Sequence, residues 1–494
     1  MRNLALIGGG YWGKNLIRDF NKLNVLHTIC DINEEALKKY NEQYPNVLTT
    51  TNWDDALKDE NIDKVCIALP AHMHYKFAKT ALLADKDVYV EKPITLDIKE
   101  AEELVQIAKN KNKILMVGHL LHYHPAIVKI KEMIKNGVIG DIKQIVANRF
   151  SLGIFRTFEN VLWSFAVHDL SVILSLCDDK LPESVICNGH CNITNNIQDI
   201  TNSILKYKNK YVNLNVNWLS PYKEQKLSIV GTKGMLVFDD VTKEITHIPE
   251  YISFSNTSPP NNPVAIKNNE KIIQYSKDFP LLKECESFIK CCETRQQPIT
   301  NGEEGVRVLK LLTYLQESLD NGKEIKINNK NIFAHPTAII DNGADIGEGT
   351  KIWHYSHICK GAKIGKNCNI GQNVYIAGGA IVGDNCKIQN NVSIYAGVKA
   401  GNHVFFGPSC VLTNDINPRC LHSKNGQYIE TILEDGVTLG ANCTIVCGNT
   451  LGKHCLIGSG AVICKDVEQN SIMVGNPGKK IGNIDEKGNR NIFK

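Results

Sequence analysis

From Ile340 an aliphatic residue returns every six positions, at Ile346, Ile352, Ile358, Ile364, Ile370, Ile376, Val382, Ile388 and Ile394, then, through the weak member Ala400, at Phe406 and Leu412. The count breaks there. It resumes in a new register at Leu439, Ile445, Leu451, Ile457 and Ile463. A period of six suits a triangular coil, in which three short strands make one turn and the aliphatic side chain of each points into the core. One turn buries too little, so about five or six must stack into a continuous apolar column. Gly follows the aliphatic residue at Gly347, Gly365, Gly371, Gly383, Gly440, Gly452 and Gly458. Such glycines are expected to supply corner conformations that side chains forbid.

The repeat bears on the cysteines. Of 17, Cys368, Cys386, Cys410, Cys443 and Cys455 fall four places after a core aliphatic, in the small-residue slot, where a thiol acts as a small hydrophobe. Cys187 and Cys191 flank His190, and Cys291 and Cys292 are adjacent, but neither group has the paired spacing of a zinc site. No metal is therefore expected. The net charge of +4 over 494 residues, without a Lys/Arg block, gives no footprint for nucleic acid or membrane. No apolar run approaches the ~20 residues a bilayer span needs, and a cytoplasmic location is expected.

Residues 1–118 alternate strand and helix, with LALIG running into GGGYWGKNLIRDF, LHTICD into EEALKKYNEQY and KVCIAL into HYKFAKTALL. Continuous apolar strands between amphipathic helices imply a parallel sheet covered on both faces. Gly8, Gly10 and Gly13 form GxGxxG between the first strand and helix, with Tyr11 and Trp12 inside the loop. The first glycine permits the turn, the second lets a pyrophosphate approach, and the third lets the helix pack close. Asp31 ends the second strand, near the place where a ribose-binding acid follows such a loop. Its carboxylate suits a ribose 2′-hydroxyl and would repel a 2′-phosphate, so NAD is expected rather than NADP.

EKP at Glu91, Lys92 and Pro93, after ALPAHMH with Pro70 and His74, resembles the signature of the glucose-fructose oxidoreductase (Gfo/Idh/MocA) family of sugar dehydrogenases. VGH at 117–119, HPA at 124–126, HDL at 168–170 and GTKG at 231–234 also match. The resemblance covers about residues 1–325. It implies a second, α+β domain with a mixed sheet (119–328), cofactor contacts from Pro70, His74, Glu91 and Lys92, and catalytic roles for Lys92 and His168. Where the family commonly has Asp four residues before this His, the chain has Ser164, so Asp169 or a water would have to substitute. Arg149 and Arg156 are the cationic candidates for recognising a sugar carboxylate.

The stretch after Leu412, TNDINPRCLHSKNGQYIETILEDG, together with CKIQNNVSIY, FFGPS, TLGANCTIVCG and MVGNP, is similar to the left-handed β-helix nucleotide-sugar N-acetyltransferases. This second resemblance covers about residues 332–482. It implies an all-β left-handed parallel β-helix (329–494) assembling as a homotrimer or a multiple of three, with acetyl-CoA between neighbouring coils. It also implies a catalytic Asn414, a sugar contact from Asn391, and acetyl-CoA contacts from Gly440, Gly475, Lys479 and Lys480. Asn cannot be a general base, and His354, His357, His403 and His422 remain possible ones.

Together the resemblances imply oxidation at C3 of a UDP-N-acetylglucosaminuronate-type sugar and acetylation of the derived 3-amino sugar, in surface polysaccharide synthesis. A dTDP-linked 3-amino-deoxyhexose is the alternative. In another class stand a γ-carbonic-anhydrase-like metal site and a β-helix serving only as an oligomerisation scaffold.

Overall fold

Six parallel strands, β1 (Leu4–Ile7), β2 (Leu26–Cys30), β3 (Leu48–Thr50), β4 (Lys64–Ile67), β5 (Asp87–Val90) and β6 (Leu115–Val117), form a sheet in the order β3-β2-β1-β4-β5-β6. β1, β4 and β5 are buried along their whole length, as strands covered by helices on both faces must be. The order reverses between β1 and β4, and the crevice at their carboxyl ends is where such sheets bind ligands. The chain is described, in a computed structural model, over residues 2–153, 155–255, 262–327, 332–341, 343–419 and 428–493. It divides into two units, Met1–Asn329 and Lys330–Lys494.

The rest of the first unit is built on a nine-stranded mixed sheet. Its strand β7 (Ile142–Phe150) pairs in parallel with Tyr211–Asn217 and antiparallel with Glu224–Gly231. Strands such as Tyr211–Asn217 bury every second residue, here Val212, Leu214 and Val216, so one face is apolar. That face packs on helices Val167–Leu176 and Gly302–Asn321, through Leu170, Ile173, Leu312 and Leu315 among others. A five-residue π-helical stretch, Leu162–Ala166, precedes the first of these helices.

The second unit is the left-handed β-helix. Its short strands lie in three sheets, and neighbouring rungs are three hexads apart, as in Ile340↔Ile358 and Ile358↔Ile376. Twelve of the periodic residues, from Ile352 to Ile457, are 0% exposed, each side chain contributing ~1.5–3 kcal/mol by burial. All five cysteines of the small-residue slot are buried beside them. One coil is longer. Val411 pairs with Thr444, and the same wide separation recurs at Val398↔Thr431 and Phe405↔Thr438.

The glycines after the core aliphatics act differently from expectation. None of the seven has a positive φ. A Cβ at Gly365 would lie 2.5 Å from the Gly383 carbonyl carbon of the next coil, so these positions are small because coils stack closely there. Left-handed corner conformations fall instead on residues such as Asn373, Asn391 and His403, at φ 56°, 62° and 58°; Asn adopts them at little cost. Among the described residues, no helix is long and apolar enough to cross a membrane.

Candidate functional site

The glycine loop leaves β1 with Gly8 at φ 96°, where a Cβ would meet the Ala68 carbonyl oxygen at 2.5 Å. Gly13 opens the helix Gly13–Lys22 so close to the loop that a Cβ would lie 1.8 Å from the Gly8 oxygen. At Gly10 nothing stands within 4 Å of an added Cβ. No side chain caps this helix N-terminus; Lys14 N and Asn15 N donate to the Gly10 and Trp12 oxygens, and the positive end of the helix, which favours a phosphate, adjoins the loop. These features fit a dinucleotide. Asp31 braces the loop, accepting from Gly9 N at 2.6 Å (Oδ2) and Asn33 N at 2.9 Å (Oδ1), and Tyr40 donates to the Gly9 oxygen at 2.5 Å. Two amides leave a carboxylate further lone pairs for ribose hydroxyls. Tyr11 is 79% exposed, with the Lys14 ammonium 5.0 Å from its ring centre.

At the end of β5, Glu91 is buried and accepts from Trp12 Nε1 at 2.6 Å and from Lys92 N at 3.2 Å. Burial pushes its carboxyl up; Trp12 and the Lys92 charge oppose that. His74 is a clamp, with Nδ1 2.7 Å from the Pro93 oxygen and Nε2 2.7 Å from the Leu69 oxygen. Only the doubly protonated ring satisfies both carbonyls, while burial opposes its charge. His74 thus holds the loop after β4, which leads through Pro70 into the helix Ala71–Leu83, against the EKP turn.

Lys92 Nζ donates to the Ser164 backbone oxygen at 3.3 Å, within the π-helical stretch. Such stretches loosen the helical ladder and occur often at functional sites. Burial lowers the Lys92 pKa, with Glu159 and Glu91 opposing. His168, one turn on, is pushed well below the ordinary imidazole range, first by burial and then by the charges of Lys92, Arg149 and His119. Lys92 and His168 therefore share one electrostatic neighbourhood. A cavity of about 680 Å³ is lined by Lys92, Glu91, Trp12 and Pro70 together with Arg156 and Glu159.

The structure gives Ser164, Asp169 and the two arginines particular partners. Ser164 Oγ accepts from Trp218 Nε1 at 3.1 Å and donates to the Val161 oxygen at 3.4 Å. Asp169 takes two hydrogen bonds from Arg149, from Nε at 2.7 Å and Nη2 at 2.9 Å. Arg156 pairs with Glu159 at 2.9 Å. The sequence reading missed Gln316, whose Oε1 accepts from Asn160 Nδ2 and Trp163 Nε1, both at 2.9 Å, on the cavity wall. It comes from a helix far beyond Trp163 in the chain, and no local pattern marks it.

In the β-helix, Asn414 leaves the coil just after Leu412; its backbone oxygen accepts from Ile429 N at 3.2 Å, and its side chain has no hydrogen bond to a described residue. Asn391 is a corner residue whose Oδ1 accepts from Asn373 Nδ2 at 3.0 Å. At Gly440 a Cβ would come 2.5 Å from Ser459 N, and Gly475 has φ 91° beside the cis Asn476–Pro477 bond. Lys479 is exposed, and Lys480 pairs with Glu468 at 2.8 Å. The His354 ring stacks on His335 at 3.6 Å, His357 pairs with Asp341, and His403 is an exposed corner. His422 lies outside the described residues.

Residues 2–119 match the family model for "oxidoreductase family, NAD-binding Rossmann fold" (GFO_IDH_MocA), and residues 127–237 the GFO/IDH/MocA C-terminal domain. Residues 343–378 match "bacterial transferase hexapeptide (six repeats)", and 361–396 and 430–465 the "hexapeptide repeat of succinyl-transferase". An uncharacterized oxidoreductase of Schizosaccharomyces pombe is 38% identical over 120 residues, 24% of this chain and 32% of that protein. UDP-N-acetylglucosamine 3-dehydrogenase of Acidithiobacillus ferrooxidans is 28% identical over 178 residues, 35% of this chain and 53% of that protein. The chain thus spans a third to a half of the length of these two relatives. The solved structure of the Acidithiobacillus ferrooxidans enzyme superposes with a TM-score of 0.57 at 20% identity, over 65% of this chain and 97% of that one, a likeness of fold.

Proposed function

We propose that this chain, which joins Gfo/Idh/MocA N- and C-terminal domains to hexapeptide-transferase repeats, is a bifunctional nucleotide-sugar enzyme. Its first unit oxidises the C3 hydroxyl of a UDP-N-acetylglucosaminuronate-type sugar with NAD. Its second acetylates the derived 3-amino sugar with acetyl-CoA, as a homotrimer or a multiple of three, in surface polysaccharide synthesis. The observation that carries the dehydrogenase reading is Lys92, held at the end of β5 against a cavity of about 680 Å³, in the same electrostatic neighbourhood as His168.

NAD, cradled by Gly8, Gly10, Gly13 and Asp31, would supply the hydride acceptor. The protein's part is the hydroxyl proton. His168, kept neutral by burial and neighbouring cations, accepts it. The Lys92 ammonium, fixed by the Ser164 oxygen, stabilises the alkoxide. Ser164 serves through its backbone carbonyl, and Asp169 through Arg149, so neither side chain replaces a carboxylate beside His168. In the β-helix, the Asn414 amide orients the sugar amine toward the thioester carbonyl; the C–N bond forms, the C–S bond breaks, and the departing sulfur takes the amine proton.

A second reading of the substrate, uncharged at C6, rests on one observation. Arg149 and Arg156 already have carboxylate partners, so neither stands free for a uronate. The test of both is a panel of UDP- and dTDP-linked sugars, with and without a C6 carboxylate, scored for NADH formation, and their 3-amino counterparts scored for acetyl transfer. NADH formation with none of them would defeat the dehydrogenase assignment, and turnover of the neutral sugars alone would select the second reading.

A further inference from the structure

Five cysteines of the β-helix hide in the small-residue slot, but Cys359 directly follows the core residue Ile358 and faces outward, part-exposed. Two positions earlier His357 also faces outward, opening the strand His357–Ile358. One rung back along the coil stands Asp341, after the strand Ile339–Ile340 that pairs with it. The coil therefore gathers three different donors on one outer edge. His357 Nε2 lies 3.1 Å from Asp341 Oδ1 and 3.9 Å from Cys359 Sγ. All three donor atoms fall within 4.8 Å of one another.

These separations are close to those a single ion would impose. Zinc bonds of ~2.0–2.1 Å to nitrogen or oxygen and ~2.3 Å to sulfur, at tetrahedral angles, set donors roughly 3.3–3.6 Å apart. The same imidazole nitrogen faces both the carboxylate and the thiol, so the ring is aimed at the space between them. The carboxylate is also held from behind, because Asp341 Oδ2 accepts from Lys360 N at 3.1 Å; metal sites orient their ligands through such outer hydrogen bonds. As an ion pair alone, Asp341 and His357, each 39% exposed, would contribute little.

We propose that Asp341, His357 and Cys359 form a binding site for a zinc-class divalent cation, with a fourth position left to water. Cys359 binds as the thiolate, its proton going to solvent. Among the described strands, Ile339–Ile340, which leads into Asp341, is the terminal one of its sheet, so the ion ties an end rung to the next. The spacing of these ligands along the chain is that of no zinc finger; the return of the coil brings them together.

Cobalt(II), added to chelator-stripped full-length protein, is the probe. One equivalent per chain is expected, with the near-ultraviolet thiolate-to-cobalt absorption of a Cys ligand and displacement by zinc. Cys359→Ser should abolish that absorption. His357→Ala and Asp341→Asn should each weaken cobalt by more than the ~10- to 100-fold that outer-shell partners alone are worth. Cys464→Ser is the matched control: Cys464 occupies the same slot after Ile463, is exposed, and has Val462 and Val446 where Cys359 has His357 and Asp341. It should bind cobalt normally. If Cys359→Ser does not fold, the other two variants decide alone. No thiolate absorption in the parent chain, or affinity unchanged in His357→Ala and Asp341→Asn, would overturn the site.

Discussion

Replacing Arg149 by Met separates a structural role from a substrate-binding one. Arg149 lies on β7 and Asp169 in the first turn of Val167–Leu176, joined by two parallel hydrogen bonds with only 13% and 11% of the side chains exposed. Removing one member of such a pair strands the other's charge in a poorly solvated place, at a cost of about 3–5 kcal/mol. In a unit of this size each kcal/mol lowers the melting temperature by about 2 °C, so a fall of roughly 6–10 °C is expected. Arg149→Met/Asp169→Leu, which removes both charges, should recover most of it. Scanning calorimetry of the full chain at pH 7, with KM for the sugar measured in parallel, reads both effects. An unchanged melting temperature with a raised KM would refute the structural reading and return Arg149 to the substrate.

Four further outcomes are expected. Dehydrogenase rate should be bell-shaped in pH: His168, depressed below 6.5, stays neutral until the pH falls past its lowered value, and Lys92, depressed below 10.5, loses its charge before that pH is reached. An acid limb centred at or above 6.5 would contradict the environment described for His168. Lys92→Met should abolish NADH formation and leave acetyl transfer intact; loss of both in a folded variant would tell against separate sites. Asn414→Ala should cut acetyl transfer by about 10²- to 10³-fold with acetyl-CoA affinity little changed, and a near-normal rate, with one of the histidines proving indispensable, would move the proton chemistry there. Residues 330–494 alone should be trimeric by light scattering and active, whereas an active monomer would exclude a site shared between chains.

What the sequence discloses depends on how far apart partners lie along it. The β-helix was readable because its side chains repeat at the spacing of the backbone coil, and the glycine loop and EKP because each is a local turn beside a strand. The periodic glycines look like corner residues in the sequence, but what excludes a Cβ at Gly365 is the Gly383 carbonyl of the next coil. Arg149 offered a free cation in the sequence and a paired one in the fold, because Asp169 reaches it from another element. Gln316 and the Asp341–His357–Cys359 group were invisible for the same reason: only the chain's return brings their parts together.

The long coil shows what fixes alignment in this fold. Its extra length is not a whole number of hexads, yet all three faces resume pairing immediately beyond it. Alignment is therefore restored by each rung templating the next, and the intervening segment carries no counting constraint. Its length and wording are free to vary while the column beneath stays the same. The stretch between Leu412 and Thr431 thus stands outside the hexad count, and a change in its length is expected to leave the pairing on either side intact.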